Sequence, residues 1–233
     1  MPRFVRRVVH FFFGVFALAN AQRNWSRLIK CSVAAYMPEW AVRGVPYRVQ
    51  THNQANWNEA YADGSWAYLD RSGELARYGT IASYCHYFSS GGAFLDLGCG
   101  EGILHQHFNV ERYSGYLGVD LSAEAVAKAQ QLWGNTKSRF EVGNVETYAP
   151  QGRYDAIVFN EVLYYCADPL RVVGQYEACL DKTGVIVVSM FDMLKARKIW
   201  QQLNARYRLI EASRAVNHDG HSWSIRVYRP SVG

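Results

Sequence analysis

The run Phe94-Leu95-Asp96-Leu97-Gly98-Cys99-Gly100-Glu101-Gly102 constrains the fold more than any other part of the chain. An apolar stretch runs into three glycines at alternate positions, and an amphipathic pattern resumes beyond them. Glycines between a buried strand and the next element let backbone approach a ligand closely. Such a loop needs a parallel sheet around it, and the flanking sequence supplies one. Residues 93–97, 116–119, 139–142 and 154–159 read as short apolar strands, and 184–191, with Val185-Ile186-Val187-Val188, as a strand buried on both faces. Between them, 103–108 and 123–133 read as helices, the second N-capped by Ser122. Residues 169–180 make a third, opened by a proline in its first turn. The alternation predicts an α/β, Rossmann-like, doubly wound sheet with helices on both faces. After a helix at 194–205, strand-like runs at 207–216 and 223–228 flank Asp219-Gly220, a tight hairpin that leaves the last strand antiparallel.

Charge decides between classes of partner. The chain has 233 residues, 49% hydrophobic and 19% charged, with a net charge of +5. That composition fits one globular domain with an extension. Up to Trp40 there are six basic residues and one acidic, so the whole excess lies in that segment and the remainder is balanced. A neutral body disfavours a nucleic-acid partner, which draws its excess charge to the binding face. Five cysteines without a C-x-x-C pair argue against a disulfide framework and against a zinc site. Arg3, Arg6 and Arg7 precede an apolar run at 8–19 that is shorter than the about 20 residues of a membrane span. Trp25, Leu28, Ile29, Val33 and Tyr36 then recur at helical spacing among Arg23, Arg27 and Lys30. Three readings stand open: a signal peptide cut near Ala19-Asn20-Ala21, helices in an anionic membrane interface, or helices covering the domain or a dimer partner. The expected organisation is a basic, apolar helical extension at 1–47, a helical lid and substrate-binding segment at 48–92, and a core at 93–233.

The loop gains meaning from two carboxylates. Asp96 closes the first strand, where it suits an ammonium or hydroxyl better than a pyrophosphate. Asp120 ends the second, where a carboxylate can take both hydroxyls of a ribose. The glycines follow G-x-G-x-G, not the dinucleotide G-x-G-x-x-G, which disfavours a nicotinamide oxidoreductase. With these motifs, residues 57–229 resemble the class I S-adenosylmethionine-dependent methyltransferases of the small-molecule, Nod-factor and sugar-methylating type. The resemblance implies a seven-stranded sheet whose last strand is reversed, with S-adenosyl-L-methionine as cofactor. It also implies that Asp96, Gly98, Cys99, Gly100 and Gly102 wrap the cofactor's methionine part and that Asp120 holds the ribose. Leu121 would pack on the adenine, with Asn144 and Val145 at its amino group. Tyr61, in a segment resembling the family's lid, would lie near the sulfonium, and Asn160, in a fourth-strand stretch close to the family pattern, would also bind the cofactor. The turn at Leu180-Asp181-Lys182-Thr183-Gly184 departs from the family in lacking the usual proline-glycine.

Methyl transfer needs a base only where the acceptor carries a proton. Candidates are Glu161, Tyr165 and His221, with His218 at the same hairpin. Trp57, Tyr61, Trp66, Tyr68, Tyr164 and Tyr165 are candidate walls, and aromatic faces suit sugar rings. No N/D-P-P-Y motif follows the fourth strand, and no carboxylate cluster has metal-ligand spacing. The expected substrate is a small molecule, methylated on O or N, such as a sugar or natural product. A lipid-linked one would explain the basic N-terminus, placing a cytoplasmic protein peripherally at the inner membrane face. The rival is a non-catalytic protein of this fold recruited to a membrane or an enzyme complex by its N-terminus. Deleting residues 1–40 is expected to abolish binding to anionic vesicles in flotation assays, and retained binding would refute a membrane role for that segment.

Overall fold

Five β-branched or aliphatic strands that cannot tolerate water on either face force helices onto both sides of a sheet. The computed structural model describes residues 53–231, and in it the sheet has seven strands. They are β1 (Ala93–Leu97), β2 (Gly115–Asp120), β3 (Ser138–Val142), β4 (Tyr154–Asn160), β5 (Leu180–Phe191), β6 (Tyr207–Val216) and β7 (Ser222–Pro230). The order is β3-β2-β1-β4-β5-β7-β6. β1 pairs in parallel with β2 and β4, and the parallel pairing extends to β3 and β5. β7 runs antiparallel to both β5 and β6. This is the doubly wound, mostly parallel sheet expected from the sequence, with the Asp219-Gly220 hairpin where it was placed. Residues 1–52, with every expectation on the basic extension, lie outside the described residues.

Among the described residues there are five α-helices: α1 (Gln54–Ala62), α2 (Leu75–Phe88), α3 (Ala123–Trp133), α4 (Pro169–Gln175) and α5 (Leu194–Arg206). α2 buries Tyr78, Ile81, Ala82 and Cys85, a stripe at helical spacing, in a core shared with Phe94, Val158, Val187 and Val227. The opposite core joins Val172 and Val173 of α4 and Ile199, Trp200 and Leu203 of α5 to Leu95, Ile157, Ile186 and Val188. Each such fully buried aliphatic side chain contributes about 1.5–3 kcal/mol. Ser122 caps α3 as expected, accepting the Ala125 N–H at 3.2 Å. Asp168 caps α4 by accepting the Arg171 N–H at 3.1 Å, with Pro169 in the first turn.

Two elements differ from expectation. Residues 103–108 form turns and a short 3-10 segment, His105–His107, instead of an α-helix. Fewer than two helical turns cannot repay nucleation, and tertiary bonds take the segment over. The His105 Nε2 lies 2.9 Å from both the Tyr113 hydroxyl and Ser138 Oγ, deep in the core. The helix expected over 169–180 ends at Gln175, followed by a 3-10 turn at Glu177–Cys179. Gln175 Nε2 and the Tyr176 hydroxyl both donate to the Val145 carbonyl, at 2.7 and 2.9 Å, and pull the chain off the helical path. Ile81→Ala is expected to destabilise the fold by about 2–5 kcal/mol in urea unfolding, whereas Leu132→Ala, at a site 55% exposed, costs less than about 0.5 kcal/mol.

Candidate active site

In a sheet of this order the chain leaves β1 toward β2 and returns to β4 on the other side, so a crevice opens between the carboxyl ends of β1 and β4. The glycine loop fills one lip. Gly98 (φ 79°) and Gly100 (φ 53°) adopt left-handed backbone that a side chain would strain. Space is short as well as torsion: a Cβ on Gly98 would stand 2.8 Å from Val162, and one on Gly100 2.6 Å from the Tyr61 hydroxyl. The Gly98 and Cys99 N–H groups both donate to the Val119 carbonyl, at 2.7 and 3.0 Å, which lashes the loop to the end of β2. Cys99 is buried, and burial holds its thiol well above the ordinary value, so it packs as a neutral filler.

Asp120 accepts the Gly100 N–H at Oδ2 (2.9 Å) and the Ser122 N–H at Oδ1 (2.8 Å). Each carboxylate oxygen keeps one further acceptor site, enough for a vicinal diol. Asp96 is 1% exposed. Its Oδ2 accepts the Tyr116 hydroxyl at 2.6 Å, while Oδ1 has no hydrogen-bond partner. Burial pushes this carboxyl up to about 7. An unsatisfied buried carboxylate oxygen below a glycine cradle suits an ammonium donor. The residues present therefore fit the methionine and ribose parts of S-adenosylmethionine.

α1 lies over the cradle. Asn58 Oδ1 accepts the Ser122 hydroxyl at 2.8 Å, and Tyr61 sets its hydroxyl beside Gly100. Burial, reinforced by Asp120, raises the Tyr61 phenol well above its usual value, so it stays a neutral donor. The expected aromatic walls do come together. Trp57 stacks on Trp66 at 5.7 Å and meets Tyr165 edge-on at 5.1 Å, Tyr61 and Tyr68 flank Trp66, and Tyr165 meets Tyr164. Beyond β4, Glu161 has left-handed backbone (φ 61°) and a side chain 18% exposed. Its Oε2 accepts the Tyr164 hydroxyl at 2.7 Å, while Oε1 is shielded from solvent and has no hydrogen bond of standard geometry. Burial raises the carboxyl to about 7 against the opposing pull of Arg77.

The remaining candidates are spread around this edge. Asn144 is exposed and caps its own turn, accepting the Glu146 N–H, while Val145 packs on the core below. Leu121 follows Asp120 and is half-buried. His221 is exposed at the hairpin mouth with its ring 5.9 Å from Phe191. Arg77, which donates to Asn160 and stands beside Glu161, and Glu74, which accepts from Arg77, were not singled out from sequence. Their signal was present: positions 74 and 77 continue the apolar stripe of 78, 81, 82 and 85, so a charged pair falls on a buried face. A separate groove of about 310 Å³ between α5 and the β6–β7 hairpin, lined by Trp200, Arg197, Arg214 and Arg226, shares no residue with the cradle. Among the described residues no cluster of His, Cys, Asp or Glu could hold a metal, and no helix is long and apolar enough to cross a membrane.

This combination of strand order and cradle is that of the class I S-adenosylmethionine-dependent methyltransferases. The chain belongs to the methyltransferase-domain family, whose model matches residues 67–227. Nodulation protein S of Azorhizobium caulinodans is 32% identical over 105 residues, 45% of this chain and 50% of that protein. The ubiquinone biosynthesis O-methyltransferase of a Bradyrhizobium species is 32% identical over 102 residues, 43% of this chain and 40% of that protein. The chain thus spans half or less of the length of these curated relatives. Among solved structures, the N-methyltransferase NodS of Bradyrhizobium japonicum with S-adenosylhomocysteine shares the fold at a TM-score of 0.66 and 15% identity, over 77% of this chain and 98% of that one. The 1,6-didemethyltoxoflavin-N1-methyltransferase of Burkholderia thailandensis does so at 0.63 and 18%, over 77% and 87%.

The raised carboxyl of Asp96 also has a consequence for stability. A carboxyl that binds its proton more tightly when folded favours the fold below the ordinary carboxylate range, and that advantage is lost as pH rises to about 7. Asp96→Asn removes up to about 1.4 kcal/mol per pH unit of this slope. The variant is expected to gain on wild type in urea unfolding at pH 8 relative to pH 5, and an equal difference at both would contradict the buried, unpaired geometry.

Proposed function

We propose that this chain transfers a methyl group from S-adenosylmethionine to an oxygen or nitrogen of a small molecule, a sugar or a natural product, including a lipid-linked one. The observation that carries the reading is Glu161. A carboxylate on strained backbone, with one oxygen held by Tyr164 and the other 3.9 Å from Arg77 without a hydrogen bond, stands next to a cradle that fits the cofactor. Similar proteins agree in class: the NodS and 1,6-didemethyltoxoflavin enzymes are N-methyltransferases, and the Bradyrhizobium relative is an O-methyltransferase.

Bound in the cradle, S-adenosylmethionine supplies a methyl on a positively charged sulfur, an electrophile that needs an aligned nucleophile and little else. The protein's part is therefore alignment, exclusion of water and disposal of one proton. Gly98, Gly100 and Gly102 admit the methionine chain, Asp96 Oδ1 takes its ammonium, and Asp120 takes the ribose hydroxyls. Trp57, Tyr61, Trp66 and Tyr165 close over the reacting groups and exclude water. The acceptor atom, as it takes the methyl released from the sulfur, gives its proton to the Glu161 carboxyl. A carboxyl near pH 7 is matched to that transfer. Glu161 is preferred to Tyr165, which packs against Trp57, and to His221, which faces solvent. Attachment at the inner membrane face through residues 1–40 belongs to the same proposal, on the strength of the +5 charge gathered there.

Calorimetric titration with S-adenosylhomocysteine tests the reading: the wild type binds, and Asp120→Ala weakens binding by about 1.5–3 kcal/mol through lost charge-assisted bonds. Glu161→Gln leaves that affinity within a factor of about two and slows labelled-methyl incorporation into a cell extract by about 10²–10⁴-fold. A wild type that does not bind the product analogue sinks the proposal.

A further inference from the structure

Arg77 is 1% exposed on the apolar face of α2, an address that is costly for a guanidinium unless it is paired, and its Nε has no hydrogen-bond partner. Nη2 donates to Glu74 Oε2 at 2.6 Å, and Nη1 donates to Asn160 Oδ1 at 2.8 Å. Nη1 also lies 3.9 Å from Glu161 Oε1, and the guanidinium faces the rings of Tyr78 at 4.5 Å and Trp223 at 5.4 Å. One cation thus connects the turn before α2, the last residue of β4, the residue after it, and the start of β7.

The chemistry of these contacts is directional. A guanidinium only donates, so the Asn160 atom it meets is the carbonyl oxygen, and the amide NH₂ is turned away from it. Glu161 is arranged with the opposite polarity: Tyr164 donates to Oε2, and Oε1 is left with acceptor capacity. We propose that Arg77 is a positioning residue for methyl transfer: by holding the Asn160 amide oxygen and standing beside Glu161, it makes the end of β4 present one N–H donor and one carboxylate acceptor side by side. A hydroxyl or amine, which accepts and donates from one atom, matches that pair. A thioether or an aromatic carbon does not. The proposal rests on the methyltransferase reading above and adds a residue and a polarity to it.

Charge supports the same role. Glu161 is faced by Arg77 and Glu74 from α2 and its leading turn, by the Tyr164 hydroxyl from the turn after β4, and by the Phe191 amide from the end of β5. Burial and Glu74 raise the carboxyl, while Arg77, Tyr164 and the Phe191 amide lower it. Arg77 is the nearest cation, and without it Glu161 holds its proton to higher pH. Glu74 takes one arm of the guanidinium, which leaves the other for Asn160 and Glu161. Lysine, a point charge without the fork, cannot serve both sides at once.

The test has two arms on the full chain. In the first, the Glu161 carboxyl is titrated by ¹³C NMR without cofactor, its resonance assigned through Glu161→Gln. The paired change Arg77→Met with Glu74→Gln, which removes one charge of each sign, is expected to raise the midpoint, because Arg77 outweighs Glu74 at this carboxyl. An unmoved midpoint overturns the proposal. In the second arm, labelled-methyl incorporation into a cell extract is measured for Asn160→Asp, for Arg77→Lys and for the two combined. Each single change is expected to slow it by about fivefold, and the combination no further, because both break the same donor orientation. Unchanged or multiplying losses overturn it. Asn160→Asp keeps Arg77 paired, so it decides the matter even if the Arg77 variants fail to fold. If the wild type does not bind S-adenosylhomocysteine, the methyltransferase reading fails, while the carboxyl titration still tells whether Arg77 governs Glu161.

Discussion

The Val119 carbonyl accepts two successive N–H groups, those of Gly98 and Cys99, and the neighbouring Asp120 accepts a third from Gly100. The site depends on this lashing of one loop to the end of the adjacent strand. It turns the chain sharply at the carboxyl end of β1, where the left-handed glycines permit it. It also leaves the Asp120 carboxylate pointing at the cradle and presses Gly98 against Val162, which fixes how near the end of β4 can come. Distances across the crevice follow from backbone hydrogen bonds that side-chain motion does not disturb. The covering α1 is held in turn to Ser122, the cap of the helix that follows Asp120. Cradle, Asp120 carboxylate and cover are one hydrogen-bonded unit.

Opposite that unit, polar groups are held by opposition of charge. Arg77, Glu74, Asn160, Glu161 and Tyr164 form a buried network between α2 and the end of β4. Removing Arg77 or Glu74 leaves the other charge buried and unpaired, which is costlier than the pair's net contribution to stability, whereas Glu161 can be exchanged without unpairing them. α2 serves both ends: its apolar stripe fills the core against β4, β5 and β7, and the same stripe, one turn earlier, delivers the guanidinium to the site.

How much of this could be read in the sequence divides by range. The strands, the switch of direction around β1 and the terminal hairpin were legible because each is written in a contiguous run: an apolar stretch, a glycine triplet, Asp-Gly between two strands. Asp96 and Asp120 were legible because each ends such a run. The segment 103–108 was not, because its periodicity is helical while His105 is claimed by Tyr113 and Ser138, 8 and 33 positions away. The early end of α4 had the same cause, the pull of Gln175 and Tyr176 on Val145. Arg77 went unread for another reason. It meets Asn160 across 83 positions, and sequence spacing carries no trace of a contact at that range; the one local sign was a charge on an apolar stripe.

The left-handed backbone at Glu161 bears on how this protein can be improved or drift. Glycine, or asparagine at a smaller gain, adopts that conformation more readily, so replacement there relieves strain and removes a buried, half-satisfied carboxylate together. Selection for heat resistance alone would therefore push position 161 away from glutamate. A chain that keeps the acid is held there by something other than its own stability. Sequences that have exchanged it mark where this fold has been released from the chemistry.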